Sequence, residues 1–380
     1  FEHLGPEHAV ILLMDEEGEL QQAAARPEED ESSPISTTLV HEVVEKGQAA
    51  LAVDVTSDDR FAGAKSIIAS GARSLLAAPL LDSEGCVGMI TLSSSLTKKI
   101  FTEEDMELLA SLASVAALRI RNVSLAQSAA ERDWLQREVG LARRVQESLL
   151  PKKLPELEGF EIDASNIPSR GVSGDFYQVM ERGEGDDREI ISIVVDVSGK
   201  GMAASLLSVG LDTAISVLIE AGIEDAHQIL GEANNLLYRK TPPDKFATAV
   251  LTILKPATGQ VQWVNAGHNP PLLIRASGEV TELEATGFPL AMVPDGDYSA
   301  KEFTLEPGDL LAIFTDGIVE AENPEDEEFQ LDRMVEAMMM AVHGDIGGIR
   351  ESLETELERF VEGVPYRDDR TLVLLRRSPA

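Results

Sequence analysis

The sequence predicts an α+β protein built as a small α/β unit, a long helical stretch and a larger layered α+β unit. Three observations predict it. Strand-length apolar runs alternate with glycine-, proline- and aspartate-rich turns near both ends of the chain. Between residues 102 and 150 there is no proline, and Gly140 is the only glycine. Beyond residue 150 strand-like runs are interleaved with segments of helical spacing. The 380 residues suffice for two or three domains, and 43% hydrophobic content marks a globular rather than a disordered chain.

In the first region, Ala9 to Met14 reads as a strand, Asp15-Glu16-Glu17-Gly18 as a turn and Leu20 to Ala25 as the returning strand. Thr37 to Lys46 has helical spacing in Leu39, Val43 and Val44, and Gly47 ends it. Asp54-Val55 reads as loop and Lys65 to Ala69 as a short helix. Leu75 to Leu81, a turn at Gly85 and Val87 to Leu92 form a hairpin. Phe1 is not an initiator methionine, so the chain reads as a fragment or a processed product.

Thr102-Glu103-Glu104-Asp105 opens the helical stretch: the threonine can cap, and the acids suit the positive end of the dipole. A continuous helix to residue 150 would be on the order of 70 Å long. Its seam is Leu109, Ala113, Ala116, Ile120, Val123, Ala130, Trp134, Leu141 and Val145, interrupted by Gln127 and Arg137. A coiled-coil or signalling linker helix is preferred; the alternative is two ordinary helices joined near Gly140.

The second unit carries strand-like runs at Phe160 to Ile167, Asp175 to Met180, Glu189 to Val197, Phe246 to Leu254, Val261 to Ala266, Leu272 to Ile274, Leu310 to Phe314 and Thr371 to Leu375. Helices are expected at Met202 to Glu220, Glu224 to Lys240, Asp332 to His343 and Asp345 to Phe360. The Met202 helix is apolar on most faces and should be buried against a sheet. The expected domains are 1–101, a linker at 102–150, and 151–380.

A net charge of −35 repels phosphate backbones and anionic bilayers, which argues against nucleic-acid and membrane partners. Cys86 is the only cysteine, which excludes an intrachain disulfide and a thiolate metal cluster and fits a reducing cytoplasm. No transmembrane segment is expected: the apolar run Leu206 to Ile219 is short and broken by Asp212.

Asp175, Asp196, Asp316 and Asp368 each adjoin a strand-like run and lie beside glycine or another acid. Singly, each is best read as a turn or cap residue. Converging carboxylates would repel unless cations neutralise them, and hard oxygen ligands favour Mg2+ or Mn2+. Two such ions can activate water and clamp a phosphoryl group.

Jointly the motifs resemble the SpoIIE/RsbU branch of the metal-dependent PPM (PP2C-like) serine/threonine phosphatases. The residues that carry the resemblance are Ala142-Arg143-Arg144-Val145-Gln146-Glu147-Ser148-Leu149-Leu150-Pro151, Gly174-Asp175-Phe176-Tyr177, Asp196-Val197-Ser198-Gly199-Lys200-Gly201, Asn265-Ala266-Gly267-His268-Asn269-Pro270-Pro271, Phe314 to Gly317, and Asp368-Asp369 before a final strand. The resemblance implies an α-β-β-α sandwich holding two divalent cations, Mn2+ or Mg2+. Asp175, Asp196 (bridging), the Val197 carbonyl, Asp316 and Asp368 would be the ligands, with Asp369 an alternative to Asp368. Arg170 is a candidate for the substrate phosphate, with a solvated surface arginine the alternative. His268 reads as a hairpin residue bonded to backbone rather than a base, and Lys200 as either a counter-charge to substrate or a surface residue. Ser173, Gln178 and Val195 depart from the branch's usual Gly, Asp and Gly.

The stretch Ser74 to Leu92, followed by Phe101-Thr102, resembles the second half of a GAF domain, which implies a sensory or dimerising role with an unspecified small-molecule or protein signal. By resemblance, the substrate would be a phosphoserine or phosphothreonine on a STAS-domain anti-anti-sigma protein, and the enzyme a cytoplasmic homodimer joined through linker and GAF domain. The rival readings are a phosphoprotein-binding pseudophosphatase scaffold and a two-metal phosphodiesterase.

Overall fold

The computed structural model describes residues 3–15, 17–27, 37–58, 60–61 and 72–379. The short helix expected at Lys65 to Ala69 lies outside the described residues. The chain divides into two compact units, Phe1–Trp134 and Leu135–Ala380.

The first unit is a five-stranded antiparallel sheet in the order β2-β1-β5-β4-β3, formed by β1 (His8–Met14), β2 (Leu20–Arg26), β3 (Ala50–Ala52), β4 (Ser74–Leu81) and β5 (Cys86–Ser94). β4 is apolar from Leu75 to Leu81 because both of its faces are covered. Leu75 and Ala77 join Val10, Leu12, Leu39 and Val43 on one face; Leu76, Ala78 and Leu80 join Phe101, Leu109 and Ala113 on the other. The expected Thr37–Lys46 helix is a single turn, α1 (Thr37–Val40), widened into a π-type turn at His41–Glu45.

α2 (Glu103–Leu149) runs through Gly140 without a break, so the alternative of two helices does not hold. Its start is a reciprocal cap: Asp105 N donates to Thr102 Oγ1 at 3.3 Å, and Thr102 N donates to Asp105 Oδ2 at 2.9 Å.

The second unit stacks two five-stranded antiparallel sheets. One has the order β13-β10-β9-β8-β7, from β7 (Phe176–Arg182), β8 (Glu189–Val197), β9 (Ala247–Lys255), β10 (Gln260–Ala266) and β13 (Lys301–Thr304). The other has the order β12-β11-β14-β15-β6, from β6 (Phe160–Ile167), β11 (Leu272–Ile274), β12 (Val280–Glu282), β14 (Leu310–Phe314) and β15 (Arg370–Arg377). β8 illustrates the layering. Ile190 and Val194 point between the sheets, towards Leu311, Ile313 and Val373. Ile191, Ile193 and Val195 point outward, beneath α3 (Met202–Glu220) and α4 (Ala226–Lys240). On the opposite outer face, α6 (Gln330–Met340) and α7 (Ile346–Val361) cover β11, β14 and β15 through Met334, Ile349, Leu353 and Leu357. The result is the expected α-β-β-α sandwich.

The helices end within two or three residues of expectation. The exposed edge strands β12 and β13 and the four-residue α5 (Asp316–Val319) were not foreseen. α2 and α3 are both long and apolar enough, by length and composition alone, to cross a membrane, a property that the reading of Leu206 to Ile219 missed. In the fold, α3 buries Leu211, Ile215 and Ile219 in the core.

Candidate active site

The acids expected to converge do so at one end of the sandwich. Asp196 is the penultimate residue of β8, Asp316 follows β14, and Asp368 and Asp369 precede β15. Asp175 lies just before β7. Asp175 is 3% exposed, and its Oδ2 accepts from Thr315 Oγ1 at 2.7 Å and Thr371 Oγ1 at 2.9 Å. Thr371 Oγ1 also accepts from Asn166 Nδ2 at 2.8 Å. The two hydroxyls fix one oxygen of the carboxylate and leave the other for the cluster.

Electrostatics bind the acids into one site. Burial, then the neighbouring Asp196 charge, pushes Asp175 well above the usual carboxylate range. Burial, then Asp316 and Asp368, pushes Asp196 up to about 7. Burial and then Asp368 raise Asp316, and burial and then Asp316 raise Glu320 on the rim. Acids held this close to one another and away from water lack sufficient positive charge.

The neighbours Asp368 and Asp369 separate in role. Asp369 is buried, and its oxygens accept from Ser169 N and Gly174 N, each at 2.7 Å. It therefore ties down the loop on which Arg170 is exposed and from which Asp175 projects. Asp368 is partly exposed and pairs with Lys200 Nζ at 2.7 Å. A Cβ at Gly317 would collide with the Asp369 carbonyl, and one at Gly174 would lie 3.2 Å from the Val197 carbonyl. Glycine at these two positions lets the four segments close on one another. It also places the Val197 oxygen beside the Asp175 loop.

The departures from the branch pattern have local explanations. Ser173 Oγ accepts from Asp175 N at 3.1 Å. Gln178 Nε2 donates to the Leu149 carbonyl at 3.0 Å. Val195 is an ordinary core residue.

Sequence reasoning missed Gln146 and the two threonines. Gln146 Nε2 donates to Ser173 O at 2.6 Å and its Oε1 accepts from Ser173 N at 2.9 Å, so the C-terminal part of α2 grips the backbone two residues before Asp175. Gln146 and Thr315 lie inside the motifs already quoted and Thr371 opens the expected strand after the last of them, but nothing in their spacing distinguishes a side chain that holds a ligand from its neighbours. His268 is buried; Nε2 donates to Phe314 O at 3.0 Å and Nδ1 accepts from Thr248 Oγ1 at 2.7 Å. Asn265 Oδ1 accepts from His268 N, and its Nδ2 donates to the carbonyls of His268 and Leu283. The Asn265–Pro271 motif is thus a brace under β14, as expected for His268.

The donor set is all hard oxygen and suits Mg2+ or Mn2+. The uncompensated charge on Asp175 and Asp196 is what a divalent cation would relieve. Among the described residues no three His, Cys, Asp or Glu side chains are preassembled as a closed cation cage.

Two stacked antiparallel sheets, helices on both outer faces and an acid cluster at the strand ends define a PPM (PP2C-like) protein phosphatase domain. Residues 186–378 match the Stage II sporulation protein E (SpoIIE) family and residues 1–120 match the GAF domain. The chain belongs to the SpoIIE family and carries a GAF domain ahead of its phosphatase domain. It is 31% identical over 246 residues to the phosphoserine phosphatase RsbU of Bacillus subtilis, covering 63% of this chain and 70% of RsbU. The phosphoserine phosphatase RsbP of the same organism is 25% identical over 245 residues, covering 63% of this chain and 57% of RsbP. The SiaA PP2C domain of Pseudomonas aeruginosa superposes with a TM-score of 0.57 at 25% identity, covering 65% of this chain and 99% of that domain.

Proposed function

We propose that this chain is a divalent-cation-dependent phosphatase that removes phosphate from phosphoserine or phosphothreonine in a protein. The observation that carries the reading is the burial of Asp175 and Asp196 against each other, with Asp316 and Asp368 at the same end of the sandwich. Two bound cations, Mn2+ or Mg2+, would supply an activated water and neutralise charge on the phosphoryl group.

The chain's own residues supply the rest. Asp175, Asp196, Asp316, Asp368 and the Val197 carbonyl hold the cations. Thr315 and Thr371 orient Asp175. Asp369 fixes the Ser169–Gly174 loop rather than serving as a ligand. Arg170, exposed on that loop, would meet the phosphate of an incoming protein. As water adds to phosphorus the bond to the seryl or threonyl oxygen breaks, and that oxygen leaves protonated.

By its resemblance to the SpoIIE/RsbU branch, the substrate is a phosphorylated STAS-domain protein of a partner-switching pathway in the cytoplasm, and the names of RsbU and RsbP as phosphoserine phosphatases support phosphoserine as the group removed. The GAF domain receives a small-molecule or protein signal. α2 exposes Val123, Trp134, Leu141 and Val145 of the expected seam along one face, a stripe that suits a homodimer joined through the linker.

The test is phosphate release from a phosphoserine STAS protein with and without Mn2+, beside Asp196→Asn and a cyclic dinucleotide. Mn2+-dependent release from the protein alone, reduced by at least about a thousandfold in Asp196→Asn, is expected. Binding without turnover would make the domain a scaffold, and cleavage of the dinucleotide alone would make it a phosphodiesterase.

A further inference from the structure

Lys200 has no part in the scheme above, yet its ammonium is paired with an acid of the cluster. Ser198 pins the start of its loop: Ser198 N donates to Phe246 O at 2.9 Å, and its Oγ accepts from Phe246 N at 3.0 Å. Gly199 and Gly201 hold left-handed φ values of 91° and 77°, which turn the chain sharply on either side of Lys200. Ser205 N then donates to Gly201 O at 3.1 Å and α3 begins. Between these anchors the Lys200 side chain crosses from the β8 side of the site to the β15 side. Its Nζ lies 2.7 Å from Asp368 Oδ2 and donates to Arg367 O at 2.7 Å.

An ammonium held by two oxygens occupies the carboxylate that a divalent cation would need. The acids behind it carry more negative charge than Lys200 alone can balance, so a doubly charged ion is the stronger counter-charge. Lysine suits a replaceable occupant. Its head is compact and strongly hydrated, its stem flexible, and its side chain is 39% exposed, so it can swing into water while its backbone stays in place. An exposed pair of this kind is weak enough to be displaced. Lys245 gives the contrast. It lies against the same turn but bonds the Ser198 carbonyl at 3.5 Å rather than a carboxylate.

We propose that Lys200 is a tethered internal cation that fills the Asp368 end of the acid cluster in the metal-free protein and must swing out before a divalent cation can take that carboxylate. It therefore sets the cation affinity of the site and steadies the metal-free fold. The inference rests on the reading of the cluster as a divalent-cation site.

The test is Mn2+ titration of the full chain, with free Mn2+ read by electron paramagnetic resonance. Lys200→Met should bind Mn2+ about tenfold more tightly than wild type. Lys200→Arg, which keeps the charge, should stay within about threefold, and Lys245→Met within about twofold. Thermal melts give a readout independent of activity: metal-free Lys200→Met should melt below wild type, and its gain with Mn2+ should be larger. Unchanged or weaker Mn2+ binding in Lys200→Met, or an equal gain in Lys245→Met, would overturn the proposal while leaving the cation site intact. If no Mn2+ binding is lost in Asp196→Asn, the cation-site reading itself fails and takes the proposal with it.

Discussion

The interior between the two sheets and the acid end of the same sandwich are built from the same strands on opposite terms. β8 is buried and apolar from Ile190 to Val195 apart from Ser192, and one residue later it presents Asp196 to four other acids, Asp175, Asp316, Asp368 and Asp369. β14 is fully buried from Leu310 to Phe314 and then delivers Thr315 and Asp316. In the interior apolar side chains pack on apolar side chains; at the acid end like charges are crowded out of water. The first arrangement makes the second tolerable, because a close-packed sheet cannot easily spread to relieve the repulsion. Rigidity in one region is what allows electrostatic tension in the other.

Two substitutions three residues apart in β8 would break that comparison most directly. Ile193 is fully buried beneath the α3–α4 layer. Ile193→Ala should destabilise the second unit by about 2–5 kcal/mol in urea unfolding, with or without Mn2+. Asp196→Asn should move the other way in the metal-free protein, raising its melting temperature, because it removes one like charge from the cluster. A metal-free Asp196→Asn protein that melts below wild type would mean that the acid end carries no such tension.

His268 sharpens the comparison with pH, because it is the titratable group lodged at the boundary. Burial pushes its imidazole down to about 4 from 6.5, against the opposing pull of the Phe314 carbonyl. A folded value below the unfolded one means that the neutral ring is the stabilised form. The contribution is fully present above about 6.5 and is lost as pH falls towards 4. The loss should reach on the order of 3 kcal/mol. An NMR titration of the ring carbons should show a midpoint near 4. A midpoint in the ordinary histidine range would mean that the brace under β14 is open to water.

What could be read from the sequence divides along the same line. Strands β8, β14 and β15 were legible because they are buried on both faces and carry predominantly apolar runs. β12 was not, because its three residues are exposed and paired only along one side, so no apolar pattern marks it. The convergence of Asp175, Asp196, Asp316 and Asp368 was legible through motif order. The division of labour between Asp368 and Asp369 was not. Both follow Arg367 in an identical acid pair, and only the fold decides which one meets Ser169 N and Gly174 N and which one meets Lys200. Thr315 and Thr371 were hidden for the same reason, since a hydroxyl's partner is a tertiary fact.

Gln146 offers the smallest and most local break. Its amide makes two hydrogen bonds to the backbone of Ser173, and a Cβ at Gly171 would collide with Val139 of the same helix. α2 is therefore packed against the very loop that presents Asp175. Gln146→Ala would leave the Ser173 amide and carbonyl to water at a cost of about 1–2 kcal/mol, less than a core truncation. The loss should be confined to the loop: amide exchange over Ser169 to Asp175 should speed up while exchange in β8 stays as it was. Mn2+ affinity should weaken several-fold, because Asp175 would sample positions away from Asp196. If exchange quickens equally throughout the second unit, Gln146 is part of the general packing. If it quickens nowhere, the loop is held by Asp369 alone, and α2 has no grip on the acid end.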